Sequence, residues 1–152
     1  MRVWRISRAR FAESALSGEG ARLFAGRWNH QGTPLVYTST SLALAAMELF
    51  VHLEPEVAPD DLVSVAIEIP DGLTQEEIDP ASLPSDWRRT DHPSLREIGS
   101  RWAIERRSLS LRVPSAAVDG EWNLLLNPHH SEFPLVRVIG TKAFHYDARM
   151  FR

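Results

Sequence analysis

The sequence predicts an α+β fold arranged as one domain over residues 1–152. Three observations carry that reading. Strand-like and helix-like segments are mixed without the regular β-α-β alternation of a parallel sheet. Residues 42–53 repeat apolar side chains at helical spacing. Residues 62–69 form a run rich in β-branched residues, closed by Pro70 and Gly72. At 152 residues, with 43% apolar and 24% charged side chains, the chain is long enough for one ordinary core.

Taken in order, residues 2–6 (Arg-Val-Trp-Arg-Ile) read as a short strand. Residues 7–26 are polar and contain glycine, with a short helix expected near 9–16. Residues 35–38 read as a second strand. Ser39, Thr40 and Ser41 then offer N-caps for the helix at 42–53. In that helix Leu42, Ala45, Ala46, Leu49, Phe50 and Leu53 follow the i, i+3, i+4, i+7 pattern. Ala43, Leu44, Met47 and Val51 make its other side apolar too, so it reads as buried all round.

Pro55 and Pro59 end that region, and the strand at 62–69 follows. Residues 71–92 are acidic and contain proline, with a turn of helix expected at 75–78. Residues 94–105 read as a helix, with Leu95, Ile98, Trp102 and Ile104 partly periodic. Residues 109–113 read as a strand broken by Pro114. Asp119-Gly120, Asn127-Pro128 and Phe133-Pro134 mark 119–134 as turns and loop. Residues 135–139 and 143–146 read as closing strands. There is no internal repeat, low-complexity tract or interdomain linker.

Composition removes several function classes. There is no cysteine, which excludes a disulfide scaffold, a thiolate zinc site and a cysteine nucleophile. No run approaches the ~18 consecutive apolar residues of a membrane span. Met1-Arg2-Val3-Trp4-Arg5 lacks a signal-peptide hydrophobic stretch. The reading is a cytoplasmic protein without membrane contact. The net charge of −3 gives no reason to expect direct nucleic-acid binding. Charge is uneven along the chain, however. Residues 1–53 carry six arginines and three acids, 54–91 eleven acids and two arginines, and 92–152 nine basic and six acidic residues. Basic ends around an acidic middle favour an anionic ligand in a cleft built from the two ends. Most of the middle acids read as solvated surface.

The chemistry-bearing residues concentrate early. Arg27, in Gly26-Arg27-Trp28-Asn29, Tyr37 and the lone helix charge Glu48 fall within 22 positions. An arginine holds phosphate, a tyrosine ring packs on a flat base, and a sheltered carboxylate stabilises a cationic transition state. The set suits a charged, ring-containing nucleotide such as NAD. A carboxylate on an apolar helix is costly unless paired or hydrogen-bonded, so Glu48 is either a structural pairing group or a functional acid. The functional reading leads, because helical periodicity leaves it no wet face. His52 lies one turn on; a Glu-xxx-His pair is too few ligands for a metal site, and no metal is expected. Arg27 is either a phosphate ligand or a surface arginine stacked on Trp28. Tyr37 is either core or one wall of a base pocket. Ser115, after Val113-Pro114, has no Ser-His-Asp context or nucleophile-elbow glycines and by itself reads as a turn serine. Asn123 and Asn127 either orient a ligand or build the turn before Pro128.

Together these residues strongly resemble the RES-domain proteins, named for their Arg, Glu and Ser. The resemblance covers nearly the whole chain. It runs through Gly18-Glu-Gly-Ala-Arg-Leu-Phe-Ala-Gly-Arg-Trp-Asn29, Gly32-Thr-Pro-Leu-Val-Tyr-Thr-Ser39, Leu42-Ala-Leu-Ala-Ala-Met-Glu-Leu-Phe-Val-His-Leu53 and Val113-Pro-Ser115. It continues through Glu121-Trp-Asn-Leu-Leu-Leu-Asn-Pro128 to Phe144-His-Tyr-Asp-Ala-Arg149. The family comprises bacterial toxins paired with Xre-like helix-turn-helix antitoxins. The resemblance implies an ADP-ribosyltransferase-like fold, with a split mixed or antiparallel sheet, flanking helices and an NAD cleft. It implies NAD as substrate rather than cofactor, with phosphate as a candidate co-substrate. The outcome is NAD hydrolysis or phosphorolysis, or alternatively ADP-ribosylation of a cellular protein; an inactive NAD-binding module is the third reading. An Xre-family antitoxin in a hetero-oligomer is the implied partner. By position, the family's arginine falls on Arg27, its tyrosine on Tyr37, its glutamate on Glu48 and its serine on Ser115. The expected roles are catalysis for Glu48, Arg27 and Tyr37. Arg27, Tyr37, Ser115, Asn123 and Asn127 are expected to bind substrate.

Overall fold

Alternation of side chains along β-branched and aromatic runs builds one sheet of seven strands. The computed structural model describes all 152 residues. The strands are β1 (Arg2–Arg8), β2 (Val36–Ser39), β3 (Leu62–Glu68), β4 (Gln75–Glu77), β5 (Ser110–Pro114), β6 (Trp122–Leu126) and β7 (Arg137–Phe144). The helices are α1 (Glu19–Leu23), α2 (Leu42–Phe50) and α3 (Pro93–Ile104). The sheet order is β4-β5-β6-β2-β1-β3-β7. All neighbours are antiparallel except β4 and β5.

The sheet is split. β1 pairs with β3 over its whole length, from Arg2↔Glu68 to Arg8↔Leu62, but meets β2 at a single pair, Trp4↔Ser39. This seam divides the sheet into a wing of β7, β3 and β1 and a wing of β2, β6, β5 and β4. One face of both wings is sealed by Val3, Val36, Val65, Ile67, Leu124 and Leu126. On the other face each wing carries its own helix. Trp4, Ile6 and Leu62 receive Ala45 and Leu49 of α2, while Leu111, Val113 and Leu125 receive Leu95, Trp102 and Ala103 of α3. The split sheet with flanking helices that the family resemblance implies is therefore observed.

Each helix has a local cause. Ser41 caps α2, its side chain accepting from the Leu44 N–H at 3.1 Å. Helix α2 ends at Phe50, three residues earlier than the spacing predicts, and Tyr146 donates to the Ala46 carbonyl from the β7 side. His92 caps α3 through the Ser94 N–H, with Pro93 in the first turn. Arg106 follows α3 in the left-handed region, φ 51°, which stops the helix.

Four expectations are corrected. Where a turn of helix is expected at 75–78, Gln75–Glu77 forms strand β4, because Gln75 and Glu77 pair in parallel with Ser110 and Arg112 of β5; tertiary pairing overrides their helix preference. Within 119–134, β6 is a central strand. Its Leu124, Leu125 and Leu126 are buried on both faces, so they lack the alternation that marks a half-exposed strand. The two closing strands are one, β7, bulged at Ala66/Ile67 of its neighbour. In residues 7–26, a single turn at Ala9–Phe11 replaces the helix expected near 9–16, and α1 forms later.

Candidate active site

Packing of Ala45 and Leu49 on β1 turns the next face of α2 toward the seam. Only Leu44 and Ala45 of this helix are buried, and Ala43 is exposed. The helix is thus not enclosed all round, and Glu48 is half-buried at the rim of a cleft. The cleft, about 320 Å³, is lined by Trp4, Tyr37, Ser39, Glu48, His52 and Asn123, among others. That volume lies at the small end of ligand sites.

Glu48 is anchored by one oxygen. Its Oε1 accepts from Ser115 Oγ at 2.6 Å and from Asn123 Nδ2 at 2.5 Å. Asn123 stands on β6 opposite Ser39, whose hydroxyl donates to Asn123 Oδ1 at 2.7 Å. Ser115 Oγ accepts from the N–H groups of Ala117 and Val118 at 3.1 and 3.0 Å. Its proton is therefore directed at Glu48. No protein group donates to Oε2, which is left to the cleft. Two donors on one oxygen fix the plane of the carboxylate. The arrangement is a positioned anion beside an open volume.

Tyr37 is both core and wall. It lines the cleft, but its hydroxyl is consumed inside the protein. It donates to Asn29 Oδ1 at 2.5 Å and accepts from the Trp28 N–H at 3.1 Å. Asn29, fully buried, also accepts from the Gly26 N–H and donates to the Ala21 and His30 carbonyls. A Cβ on Gly26 would lie 2.6 Å from the Tyr37 hydroxyl, so this knot needs glycine there. Burial pushes the Tyr37 phenol far above its ordinary pKa, so it stays neutral. Tyr37→Phe keeps the wall but leaves the Trp28 N–H without an acceptor. The expected loss is about 1–3 kcal/mol of stability, read by chemical denaturation. Wild-type stability in that variant would mean the knot contributes nothing.

Arg27 emerges from the same turn. Its Nη1 donates to the Trp87 and Arg89 carbonyls, each at 3.1 Å, leaving Nε and Nη2 without protein partners. It does not stack on Trp28, which is buried in the core under α3. Burial pulls the Arg27 pKa down, while the negative charges of Glu48 and Asp91 oppose that. Arg27 stands beside the cleft rather than in its wall.

The structure thus groups Glu48, Tyr37, Ser115 and Asn123, with Arg27 adjacent. It does not bring Asn127 there. Asn127 is 1% exposed, donates to the Ala103 carbonyl and accepts from the His129 N–H. It ties β6 to the end of α3, which corrects the substrate-binding expectation for this residue. Ser115 and Asn123 hold Glu48 instead of reaching freely into the cleft. No group of three or more His, Asp or Glu side chains converges to hold a metal ion. Sequence reasoning missed Ser39 as the support of Asn123 and Asn29 as the centre of the knot.

Comparison with known proteins agrees with this architecture. The family model for the RES domain matches residues 2–148. "Toxin Res" of Photorhabdus laumondii is 36% identical over 154 residues, covering 100% of this chain and 98% of that protein. "Prs ADP-ribosylating toxin" of a Sphingobium species is 39% identical, covering 98% and 96%. "Toxin Res" of Pseudomonas putida is 38% identical, covering 99% and 100%. Among solved structures, a chain of the M. tuberculosis MbcT–MbcA toxin–antitoxin complex superposes with a TM-score of 0.73. The sequences are 21% identical, covering 95% of this chain and 84% of that one. That likeness concerns the fold.

Proposed function

The chain belongs to the RES domain family, and from that premise we propose that it is the toxin enzyme of a toxin–antitoxin pair. Its proposed reaction is cleavage of the nicotinamide–ribose bond of NAD. The observation that carries this is Glu48, tethered through Oε1 with Oε2 open to the seam cleft. In the reaction the bond between the ribose C1′ and the nicotinamide nitrogen breaks, and its electron pair leaves with neutral nicotinamide. No general acid is needed. Positive charge grows on the ribose, as in glycoside cleavage. Glu48 Oε2 stabilises that charge or holds a ribose hydroxyl or the incoming nucleophile. Water or phosphate then bonds to C1′ and its proton passes to solvent or the carboxylate. Arg27, with Nε and Nη2 unused, contacts the dinucleotide phosphates, and the Tyr37 ring packs on the nicotinamide or ribose. Ser115 and Asn123 keep the acid in place.

A second reading, transfer of ADP-ribose to a protein side chain, is favoured by the Sphingobium relative's printed name. The proposed partner is an Xre-like antitoxin, forming a hetero-oligomer in the cytoplasm and covering the cleft. Support for a partner comes from the toxin–antitoxin complex whose chain shares this fold. Purified protein with labelled NAD separates the readings. Free ADP-ribose, or ADP-ribose 1″-phosphate when phosphate is present, is the expected product by mass. Label on protein would favour transfer, and intact NAD would overturn both.

A further inference from the structure

The loop between β4 and α3 has no part in the reaction above, yet Arg27 is fastened to it. Both hydrogens of Arg27 Nη1 go to its carbonyls, those of Trp87 and Arg89, each at 3.1 Å. What remains free is the Nε–Nη2 edge, the side of a guanidinium that can grip two oxygens at once. The carbonyls of Trp87 and Arg89 therefore decide where that edge points. They lie in an exposed stretch, Arg88, Arg89 and Thr90, and an exposed loop is mobile unless it is tied down.

This loop is tied at both feet. At its start, Asp86 Oδ1 lies 3.0 Å from Nε2 of the buried His92 ring. The Ser94 N–H donates to His92 Nδ1 at 3.2 Å, which puts the ring proton on Nε2 and makes Asp86 its acceptor. The His92 hydrogen bond is the main cause that holds the Asp86 carboxyl below its ordinary pKa. At the other foot, Asp91 sits in the left-handed region, φ 60°, which a residue other than glycine keeps only when its surroundings impose it. Arg96 imposes it. Its Nη2 donates to Asp91 Oδ1 at 2.6 Å, and its Nε to the Gly26 carbonyl, on the peptide leading into Arg27, at 3.0 Å. Between the feet, the Arg89 N–H donates to the Asp86 carbonyl at 3.0 Å, and the Trp87 side chain is buried in the core under α3.

We propose that Asp86, clasped by His92, is a positioning residue: it fixes the arch 86–92, whose carbonyls aim the free edge of Arg27 at a phosphate of the substrate. The target rests on the NAD reading; the aiming of Arg27 does not. A guanidinium already oriented binds without the cost of ordering a long side chain. The benefit falls on substrate binding more than on bond cleavage.

Asp86→Ala isolates the clasp, because the side chain is exposed and the His92 cap on α3 stays in place. The KM for NAD is expected to rise about five- to tenfold, with kcat within about twofold of the wild type. Asp86→Asn keeps an oxygen for His92 Nε2 and is expected to restore most of the affinity. In an Arg27→Met background, Asp86→Ala is expected to weaken ADP-ribose binding no further, read by calorimetry. Nitrogen-15 NMR without ligand reads the aiming itself. The Arg27 guanidinium signals, identified by their loss in Arg27→Met, are expected to show slowed rotation at Nη1 in the wild type and averaging in Asp86→Ala. A wild-type KM in Asp86→Ala, the same loss of affinity when Arg27 is absent, or unchanged Arg27 signals would overturn the positioning role. A wild type that leaves NAD intact while Asp86→Ala frees the Arg27 guanidinium would sink the reaction and keep that role.

Discussion

Glu48→Gln is expected to abolish measurable NAD consumption while the protein folds as before. The amide is isosteric, and its oxygen can accept the same two hydrogen bonds from Ser115 and Asn123. The fold therefore keeps its contacts, and the half-buried position tolerates an uncharged group more readily than a charged one. What disappears is the negative charge at the open oxygen. A preorganised group facing developing charge is worth roughly 3–4 kcal/mol, about 10²–10³ in rate. Removing the full charge in a sheltered cleft is expected to cost at least that. Substrate affinity is expected to fall less than turnover, because the phosphates that carry much of the binding are held away from Glu48, whereas the charge that develops on the ribose faces it. The measurement is single-turnover NAD loss at saturating NAD, with circular dichroism as the folding control. Wild-type turnover in a folded Glu48→Gln protein would remove Glu48 from the reaction. Retained binding with lost turnover is the expected outcome.

How much of this site the sequence displayed depends on how local each signal is. Glu48 stood out because one charge in an apolar helix has few explanations, and it does face the cleft. The apolar periodicity of 42–53 predicts a helix with no wet face, whereas Ala43 is exposed and the helix lies on one wing with a side open. Its neighbours Ser115 and Asn123 are 67 and 75 residues away in sequence, so no spacing rule joins them to it. Asn123 was further hidden because β6 was read as loop: a strand buried on both faces loses the alternation by which strands are found. Tyr37 presented two readings, core or wall, and the structure uses the ring for one and the hydroxyl for the other. Asn123 and Asn127 looked equivalent, four residues apart in one segment. Strand register separates them, since Asn123 pairs with Ser39 at the seam and Asn127 lies beyond the strand end under α3. The overall class was readable because strong local runs at 42–53 and 62–69 persist in the fold. Strand order was not, because it is set by long-range pairing.

Gly99→Ala is expected to be the most damaging small substitution outside the cleft, and it tests how the Arg27 turn is held. On an exposed helix, alanine in place of glycine stabilises by about 1 kcal/mol. Here the sign reverses. A Cβ on Gly99 would sit 1.9 Å from the Trp28 carbonyl oxygen and 2.9 Å from its Cβ. The obstacle is backbone, so no rotamer change relieves it; α3 or the turn has to move. The two are also cross-linked, by the His30 N–H on Ser100 Oγ at 2.8 Å and Arg96 Nε on the Gly26 carbonyl at 3.0 Å. Separating them opens the core around Trp28, Leu95 and Trp102, which are 2%, 0% and 0% exposed. Overpacking of this kind costs typically 1–3 kcal/mol and more where backbone is displaced, and about 3 kcal/mol is expected here. For a chain of this size that is a fall of roughly 6–12 °C in melting temperature. Because Trp28 and Asn29 anchor the Tyr37 hydroxyl, the same displacement reaches the cleft wall, and NAD affinity should fall with stability. Tyr37→Phe is expected to share that stability loss in part, so the double variant should lose less than the sum of the singles. A Gly99→Ala protein as stable as the wild type would show that the turn is not seated on α3, and full additivity would show that the helix and the knot act independently.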